Sequence, residues 1–422
     1  MTTAAAPPRK PRRFLGWQVA ALATITAALS GPGQTIGVSV FVDPMIEALD
    51  LTRSELSTAY LIGTLLGAVA LVPVGRWIDR VGRRTAMTWI GLGFGLGLLA
   101  MSGVQGFITL TIGFTLIRWL GQGSLQLVST LSITPWFERR RGFVFGLSAT
   151  ATATLMSLTP ILLGVAIGLF DWRVAWILAA LAIWLIVVPI ARFGIIDQPS
   201  DVGQFPDGDP APHPSEPARP STPPLTRRQA LGQRRFWLLS LVVATTSMLV
   251  TALNFHQISI LGAQGLSLTE AAVMFLPQTV GTLTAGLIFG TLADRVAPRF
   301  LLAATMALLA LALLLASQLQ PGLIILVYAL VLGAAAGVGF PLVATLLPRW
   351  YGLLHIGSIQ GVTALVGVAA SAAGPVVLSL VSDNISGYGP AALVLIAGPV
   401  VIGLAALTVS EPARPSQRAA RS

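Results

Sequence analysis

Apolar runs of 18 residues or more recur along this whole chain, each long enough to cross a hydrocarbon core of ~30 Å as a helix. Lipid offers no partner for a backbone N–H or C=O, so only helices and closed barrels span it. The runs show no strict alternation, and barrel strands need only about ten residues each. Helices are the expected solution. Charged residues make up 10% of the chain against about 25% in soluble domains, and the mean hydropathy is +0.80.

Twelve spans are expected: 14–42, 56–75, 85–104, 107–134, 142–168 and 172–194, then 236–261, 268–292, 299–318, 322–347, 356–381 and 388–409. The first follows Arg9, Lys10, Arg12 and Arg13, and it is too long for a signal-peptide core, so it is read as retained. Residues 195–235 change character. Their prolines (among them Pro199, Pro206, Pro210 and Pro220) arrive with Ser, Asp and Gly, a composition that cannot offset its own ordering entropy. The expected organisation is a six-helix bundle in 1–194, a mobile cytoplasmic linker in 195–235, and a second bundle with a tail in 236–422.

The two bundles are related by a repeat. Gly75-Arg76-Trp77-Ile78-Asp79-Arg80-Val81-Gly82-Arg83-Arg84 has a weaker copy 215 residues later, Gly290-Thr291-Leu292-Ala293-Asp294-Arg295-Val296-Ala297-Pro298-Arg299. The same offset relates Pro160 to Pro375 and Gly146 to Gly361. It also relates Thr52–Glu55 to Ser267–Glu270, two pairs with the spacing of a capping box that opens a helix. The all-α fold is therefore twelve transmembrane helices in two pseudo-symmetric six-helix bundles.

The formal charge of +10 comes from particular loops and does not mark a nucleic-acid partner. With the N-terminus inside, inner loops hold Arg76, Arg80, Arg83, Arg84, Arg139, Arg140, Arg141, Arg192, Arg219, Arg227, Arg228, Arg234, Arg235, Arg295, Arg299 and Arg349. Outer loops hold only Arg53 and Arg173. Basic residues gather on the cytoplasmic side, so both termini are expected there, in the cell membrane.

An ionisable group at membrane depth costs ~2.5–3.5 kcal/mol or more on insertion scales, so each needs a reason. Asp43, Asp171, Glu270 and Asp383 fall at outer span ends; Asp79, Glu138 and Asp294 fall at inner ends. Two groups remain inside, Arg118 in span four and His256 toward the outer end of span seven. Arg118 either binds an anion or ties up carbonyls of neighbouring helices. His256 can titrate near neutral pH and is the candidate for proton coupling, or else a neutral histidine bonded within the bundle. The amides and phenol Gln34, Gln122, Gln126, Asn254, Gln257, Gln278, Tyr328 and Gln360 must be paired or face a wet cavity. Pro32, between Gly31 and Gly33, should break span one.

The glycine runs 91–97 and 333–339 lie inside apolar spans and lack a following Lys-Ser/Thr, so they read as close helix contacts and not phosphate loops. Cysteine is absent. No nucleotide cassette, metal cluster or nucleophile–base set appears, so no cofactor, metal or enzymatic chemistry is expected.

Duplicated six-span halves, an inner linker and the sequence Gly75…Asp79-Arg80…Gly82-Arg83-Arg84 after span two resemble the major facilitator superfamily of secondary transporters. Arg118-Trp119-Leu120-Gly121-Gln122-Gly123 is similar to a second pattern of that family. Leu51–Glu55, Trp136–Gly142, Asp171–Arg173 and Arg235–Trp237 leading to His256 resemble its monocarboxylate and oxalate/formate branch. That branch often places an arginine in span eight, whereas residues 271–291 contain neither arginine nor aspartate. The resemblance implies alternating access around a central site, with Gly75, Asp79, Arg80, Gly82, Arg83, Arg84, Asp294 and Arg295 gating the inner face. It implies a small organic anion, monocarboxylate-like, with H+ as coupling ion, carried by a monomer. A proton-driven exporter of a neutral or amphipathic solute is the alternative, and a transporter-fold sensor without flux is the alternative of another class.

Overall fold

The computed structural model describes residues 14–208, 225–293, 295–352, 356–385 and 387–409. Asp294, the basic N-terminus before residue 14 and most of the linker prolines lie outside the described residues. Helices form every regular element among those described.

Ten helices are long and apolar enough to cross a membrane, and a bent pair, Gly16–Ser39 with Val42–Leu49, makes an eleventh. The twelfth is Phe107–Ile117 continued through Arg118–Leu125 and Gln126–Ile133. In chain order the spans are α1 (the bent pair), α2 (Arg53–Leu71), α3 (Arg83–Ser102) and α4 (Phe107 to Ile133). Then come α5 (Arg141–Leu169), α6 (Trp172–Gly194), α7 (Arg234–Gly262) and α8 (Leu268–Leu292). The last are α9 (Pro298–Ser317), α10 (Leu323–Tyr351), α11 (Ile356–Asn384) and α12 (Tyr388–Ala406).

Both expected capping boxes form. Thr52 Oγ1 accepts from Glu55 N at 3.1 Å while Glu55 Oε2 accepts from Thr52 N at 2.8 Å. Ser267 and Glu270 do the same at 3.3 and 2.8 Å. These boxes open α2 and α8 on one face of the molecule, called here the capping-box face. The other face carries the arginines.

Packing repeats as the sequence does. In the first half α2 lies on α4, α3 on α6 and α1 on α5; in the second α8 lies on α10, α9 on α12 and α7 on α11. Between halves, α2 packs on α11 and α5 on α8, two contacts that the same pseudo-symmetry exchanges. The α8–α10 contact is backbone to backbone. A Cβ built on Gly333 would fall 1.8 Å from the Gln278 carbonyl oxygen, and one on Gly337 would fall 2.1 Å from that of Thr282. Thr282 Oγ1 can therefore donate to the Gly333 carbonyl at 3.0 Å.

Of the two glycines in the charged hairpin, one serves a close approach and the other does not. Gly75 sits in the short helix Val74–Val81 with open space where a Cβ would be, so it serves no close approach. Gly82 does: its φ is +83°, and a Cβ there would meet the Asp197 carboxylate at 2.6 Å. Asp197 Oδ1 accepts from Arg84 N at 2.8 Å and its carbonyl from Arg83 Nη1 at 3.0 Å, which fixes the start of α3 to the end of α6. Asp79, Arg80 and Arg295 are exposed.

The beginning of the linker also differs. Residues 195–208 are bound to the first half, because Asp207 accepts from the amides of Glu138, Arg139 and Arg140 at 2.9, 2.8 and 3.3 Å. Gln204 Oε1 accepts from Leu15 N at 3.0 Å. Burial works against the Asp207 charge, but these donors and Arg139 hold its carboxyl below the ordinary carboxylate range. A group with a lowered folded pKa contributes fully above its unfolded value near 3.8 and loses that contribution as pH falls through the folded value. The clasp is thus complete at neutral pH. Asp207→Ala is expected to speed tryptic cleavage at Arg139–Arg141 several-fold at pH 7; an unchanged digestion rate would dismiss the clasp.

Candidate functional site

A cavity of about 670 Å³ lies between the halves. Its lining runs on α7 from Val243 to Thr251, about the middle of the helix, and on α11 from Gln360 to Ser371 and on α10 from Ala336 to Ala344, from the middle toward the arginine-rich face. The cavity therefore belongs to that side of the molecule. Polar lining comes from Arg118, Gln122 and Gln360 with hydroxyls including Thr64, Thr246, Ser247, Thr363 and Ser371, and apolar lining from Val243, Val250, Val343 and Val368. Among the described residues, no acidic side chain lines it.

Arg118 stands where two helices are irregular. Gly31-Pro32-Gly33 forms a single tight turn that interrupts α1, as the proline suggests; the 67° bend of α1 comes further on, between Gly16–Ser39 and Val42–Leu49. Opposite, Arg118–Leu125 is a π-helical stretch, a form common at functional sites. The two approach closely, since a Cβ on Gly33 would meet the Ile117 carbonyl at 2.6 Å. This proximity lets Arg118 Nη1 donate to the Gly33 carbonyl at 3.2 Å, while Nε donates to Thr64 Oγ1 at 3.1 Å. Its guanidinium lies 4.8 Å from the Tyr60 ring centroid. Gln126 Nε2 satisfies another carbonyl of the break, Ala27, at 3.0 Å.

Arg118 is only 4% exposed. Among the described residues it forms no ion pair. Both readings of Arg118 therefore meet in one side chain: it binds its own half's carbonyl and hydroxyl, and it brings an uncompensated positive charge to the cavity.

Beyond Arg118 the cavity ends. Tyr60 of α2 packs against Phe255 of α7 with centroids 4.6 Å apart and ring planes tilted by 57°, and both are fully buried. Past this plug, toward the capping-box face, the halves are joined by polar contacts. Arg53 Nη2 pairs with Asp43 at 2.9 Å and Nη1 donates to Ser259 Oγ at 2.7 Å. Ser259 Oγ lies 2.7 and 2.8 Å from the Asp43 oxygens, and Ser54 Oγ donates to Asp383 at 2.6 Å. Arg53 also lies 5.6 Å from the Tyr388 ring centroid. This latch joins α1 and α2 to α7, α11 and α12. Arg53→Ala is expected to raise the population open at this face about fivefold, the equivalent of ~1 kcal/mol. Spin labels on Ala48→Cys and Ala263→Cys read it, because the chain has no other cysteine; an unaltered distance distribution would remove the latch.

The remaining expected residues divide. His256 does not line the cavity: it is fully buried, its Nε2 3.1 Å from the Pro375 carbonyl and its Nδ1 3.3 Å from the Tyr388 hydroxyl. A carbonyl only accepts, so Nε2 carries the proton and Nδ1 accepts from Tyr388. Gln34 donates to Ser30 Oγ at 3.1 Å, and Asn254 accepts from Gln278 at 2.6 Å; neither pair, nor Tyr328, lines the cavity. Gln122 and Gln360 do. What the sequence reading missed was the hydroxyl wall. Its signal was present as helical spacing, since 360, 363, 364, 367, 368 and 371 form one stripe of α11.

Comparison with known proteins agrees with this arrangement. A family model described as Major Facilitator Superfamily matches residues 22–282 and 258–422. A probable nitrate/nitrite transporter, NarK2, of Mycobacterium tuberculosis is 27% identical over 372 residues, covering 84% of this chain and 87% of the relative. A crystal structure of a bacterial homolog of the human lysosomal transporter Spinster, inward-facing and occupied, superposes with a TM-score of 0.72 at 17% identity, covering 95% of this chain and 96% of that one. The unoccupied form of that homolog gives 0.70 at 16% identity, covering 94% and 96%.

Proposed function

The chain belongs to the major facilitator superfamily, and from that premise we propose that it carries a small organic anion, a monocarboxylate, through the bilayer by alternating access and together with a proton. It is a multi-pass membrane transporter and not an enzyme. The observation that carries the choice of an anion is Arg118, a buried guanidinium without a carboxylate partner at the closed end of a cavity that no acid among the described residues lines. In a medium of low dielectric such a charge attracts an anion strongly and repels a cation. Hydroxyls on both halves supply neutral donors, and the valine wall of the second half suits a short apolar tail.

The halves meet at the capping-box face and part at the arginine-rich face, so rocking about the plug would exchange the two openings. In this reading the arginine-rich face and both termini lie in the cytoplasm, which the excess of basic residues on that face supports, and the protein works in the cell membrane as a monomer. Asp79, Arg80 and Arg295 are exposed in the present state and available to meet the other half when the cavity closes.

A second reading is inorganic. The similarity to a probable nitrate/nitrite transporter favours a planar monovalent oxyanion, which a guanidinium also binds with two parallel hydrogen bonds. A screen of the purified chain settles between them: thermal shifts and proteoliposome uptake with monocarboxylates, nitrate, nitrite and uncharged metabolites. Saturable, Arg118-dependent uptake of monocarboxylates is expected. Uptake of nitrate alone would favour the second reading, a response to uncharged solutes alone would favour an exporter of neutral metabolites, and saturable binding without flux would favour a sensor.

A further inference from the structure

From Phe255 toward the capping-box face, Gln257 has no hydrogen-bond partner at Nε2 or Oε1; Oε1 of Gln278 and the hydroxyl of Tyr328, on α8 and α10, are unpartnered as well, as is Ser57 Oγ on α2. Gln257 and Tyr328 are fully buried and Gln278 is 6% exposed. Asn254, one turn before Gln257, has its Oδ1 occupied by Gln278 Nε2 at 2.6 Å. A buried amide without partners is costly, more so where water is absent. A protein with a single state would be expected to shed such groups. One that alternates can retain them, if atoms orphaned in one state are satisfied in the other. Gln257 sits on α7 between Phe255 and the capping-box face, in the part of the second half that opening of that face would uncover, and α8 and α10, which carry Gln278 and Tyr328, pack against α7.

We propose that this amide cluster receives the solute as the protonated, uncharged acid, so that the coupled proton travels on the solute and not on a protein side chain. Two of the unpartnered atoms, Gln257 Oε1 and Gln278 Oε1, are acceptors. An oxyanion has no donor to give them. A protonated carboxyl presents one O–H and one C=O side by side, and a primary amide presents the complementary acceptor and donor. Gln257 has both of these free. The two stations on either side of the plug then differ in kind: Arg118 favours the carboxylate, and the uncharged amides favour the acid. At the capping-box face the carboxylate takes a proton from water; on the Arg118 side the acid returns it to the water of the cavity. One proton moves with one anion and no protein group changes charge, consistent with the absence, among the described residues, of any acid along the cavity wall.

The titratable groups on the elements packed around the cluster are His256 on α7, Tyr328 on α10 and Tyr60 across the seam on α2. Nearer the face are Asp43, Arg53, Glu55, Glu270, Asp383 and Tyr388. His256 has both ring nitrogens engaged, by Pro375 and Tyr388.

The inference rests on the monocarboxylate reading. Its test is the pH profile of uptake by the full chain in proteoliposomes, for a series of monocarboxylates of graded acidity, after subtracting flux into protein-free vesicles. The midpoint of the profile is expected to move with the acidity of the solute and to stay in place in His256→Gln. Gln257→Leu is expected to lower uptake at least tenfold with thermal stability unchanged or raised, because it removes orphaned atoms; if that variant does not fold, Gln278→Met is read in the same way. A midpoint that stays fixed across the series, or full uptake by the amide variant, overturns the inference alone. If no monocarboxylate gives Arg118-dependent binding, the functional reading falls and this inference with it.

Discussion

Replacing Arg118 by glutamine is expected to lower anion uptake by roughly 100-fold while leaving the protein folded. A charged donor removed from a desolvated site costs about 2–5 kcal/mol of binding, and 3 kcal/mol already corresponds to that factor. The structural loss is smaller. Arg118 donates to the Gly33 carbonyl and to Thr64, and the break in α1 that exposes this carbonyl is also bonded by Gln126 at Ala27 and Ser30. About 1–2 kcal/mol of destabilisation is expected from the unsatisfied Gly33 oxygen. Arg118→Lys separates charge from shape: it keeps the cation and loses the planar fork, so uptake should lie between wild type and glutamine. The readouts are initial uptake rates at several solute concentrations and the melting temperature in detergent. Uptake by Arg118→Gln within threefold of wild type would leave the anion reading without its main support.

The second large effect concerns the fold. Gly333→Val is expected to prevent accumulation of monodisperse protein, because its side chain would occupy the space of the Gln278 carbonyl, only 1.8 Å from where a Cβ would stand. Relief requires α8 and α10 to separate, which also breaks the Thr282–Gly333 contact at 3.0 Å. Overpacking and backbone displacement of this kind cost on the order of 3–5 kcal/mol. Lipid supplies no hydrophobic force to hold the helices together once close packing is lost. The control lies in the same glycine run: a Cβ on Gly339 meets nothing within 4 Å, so Gly339→Ala should be neutral. Size-exclusion profiles of the two variants in one detergent measure the contrast. Equal yields and profiles would show that α8 and α10 are not held by this contact.

These residues also show what could be read in advance. The twelve spans, the two halves and the capping boxes were legible, because an apolar run in lipid has one solution and a 215-residue repeat imposes one pairing scheme on both halves. Arg118, Gln122 and Gln360 were legible as cavity candidates because buried charge and buried amides need a reason. His256 was equally conspicuous and lies elsewhere. In a helix that is apolar all round, the face a polar residue occupies cannot be inferred from periodicity. The hydroxyl wall escaped for a related reason. Ser and Thr satisfy themselves on their own helix, as Thr305 does with the Leu301 carbonyl at 2.8 Å, so their presence in a span says little about where they point. The strap at 195–208 escaped because one aspartate, Asp207, binds three amides, and composition carries no sign of that geometry.

The halves are joined at the capping-box face by a few polar contacts, from Arg53 and Asp43 to Ser259 and from Ser54 to Asp383; Arg53 and Asp43 are 27% and 41% exposed, and charged contacts of that exposure contribute only ~0–1 kcal/mol. A join so light keeps the two arrangements close in free energy. The chain then behaves as a balance and not as a lock: whichever form binds the solute more tightly gains population in proportion to that preference, and the empty protein crosses freely in both directions. Throughput is set by how briefly each arrangement lasts. A firmer join at this face would hold cargo equally well and deliver it more slowly.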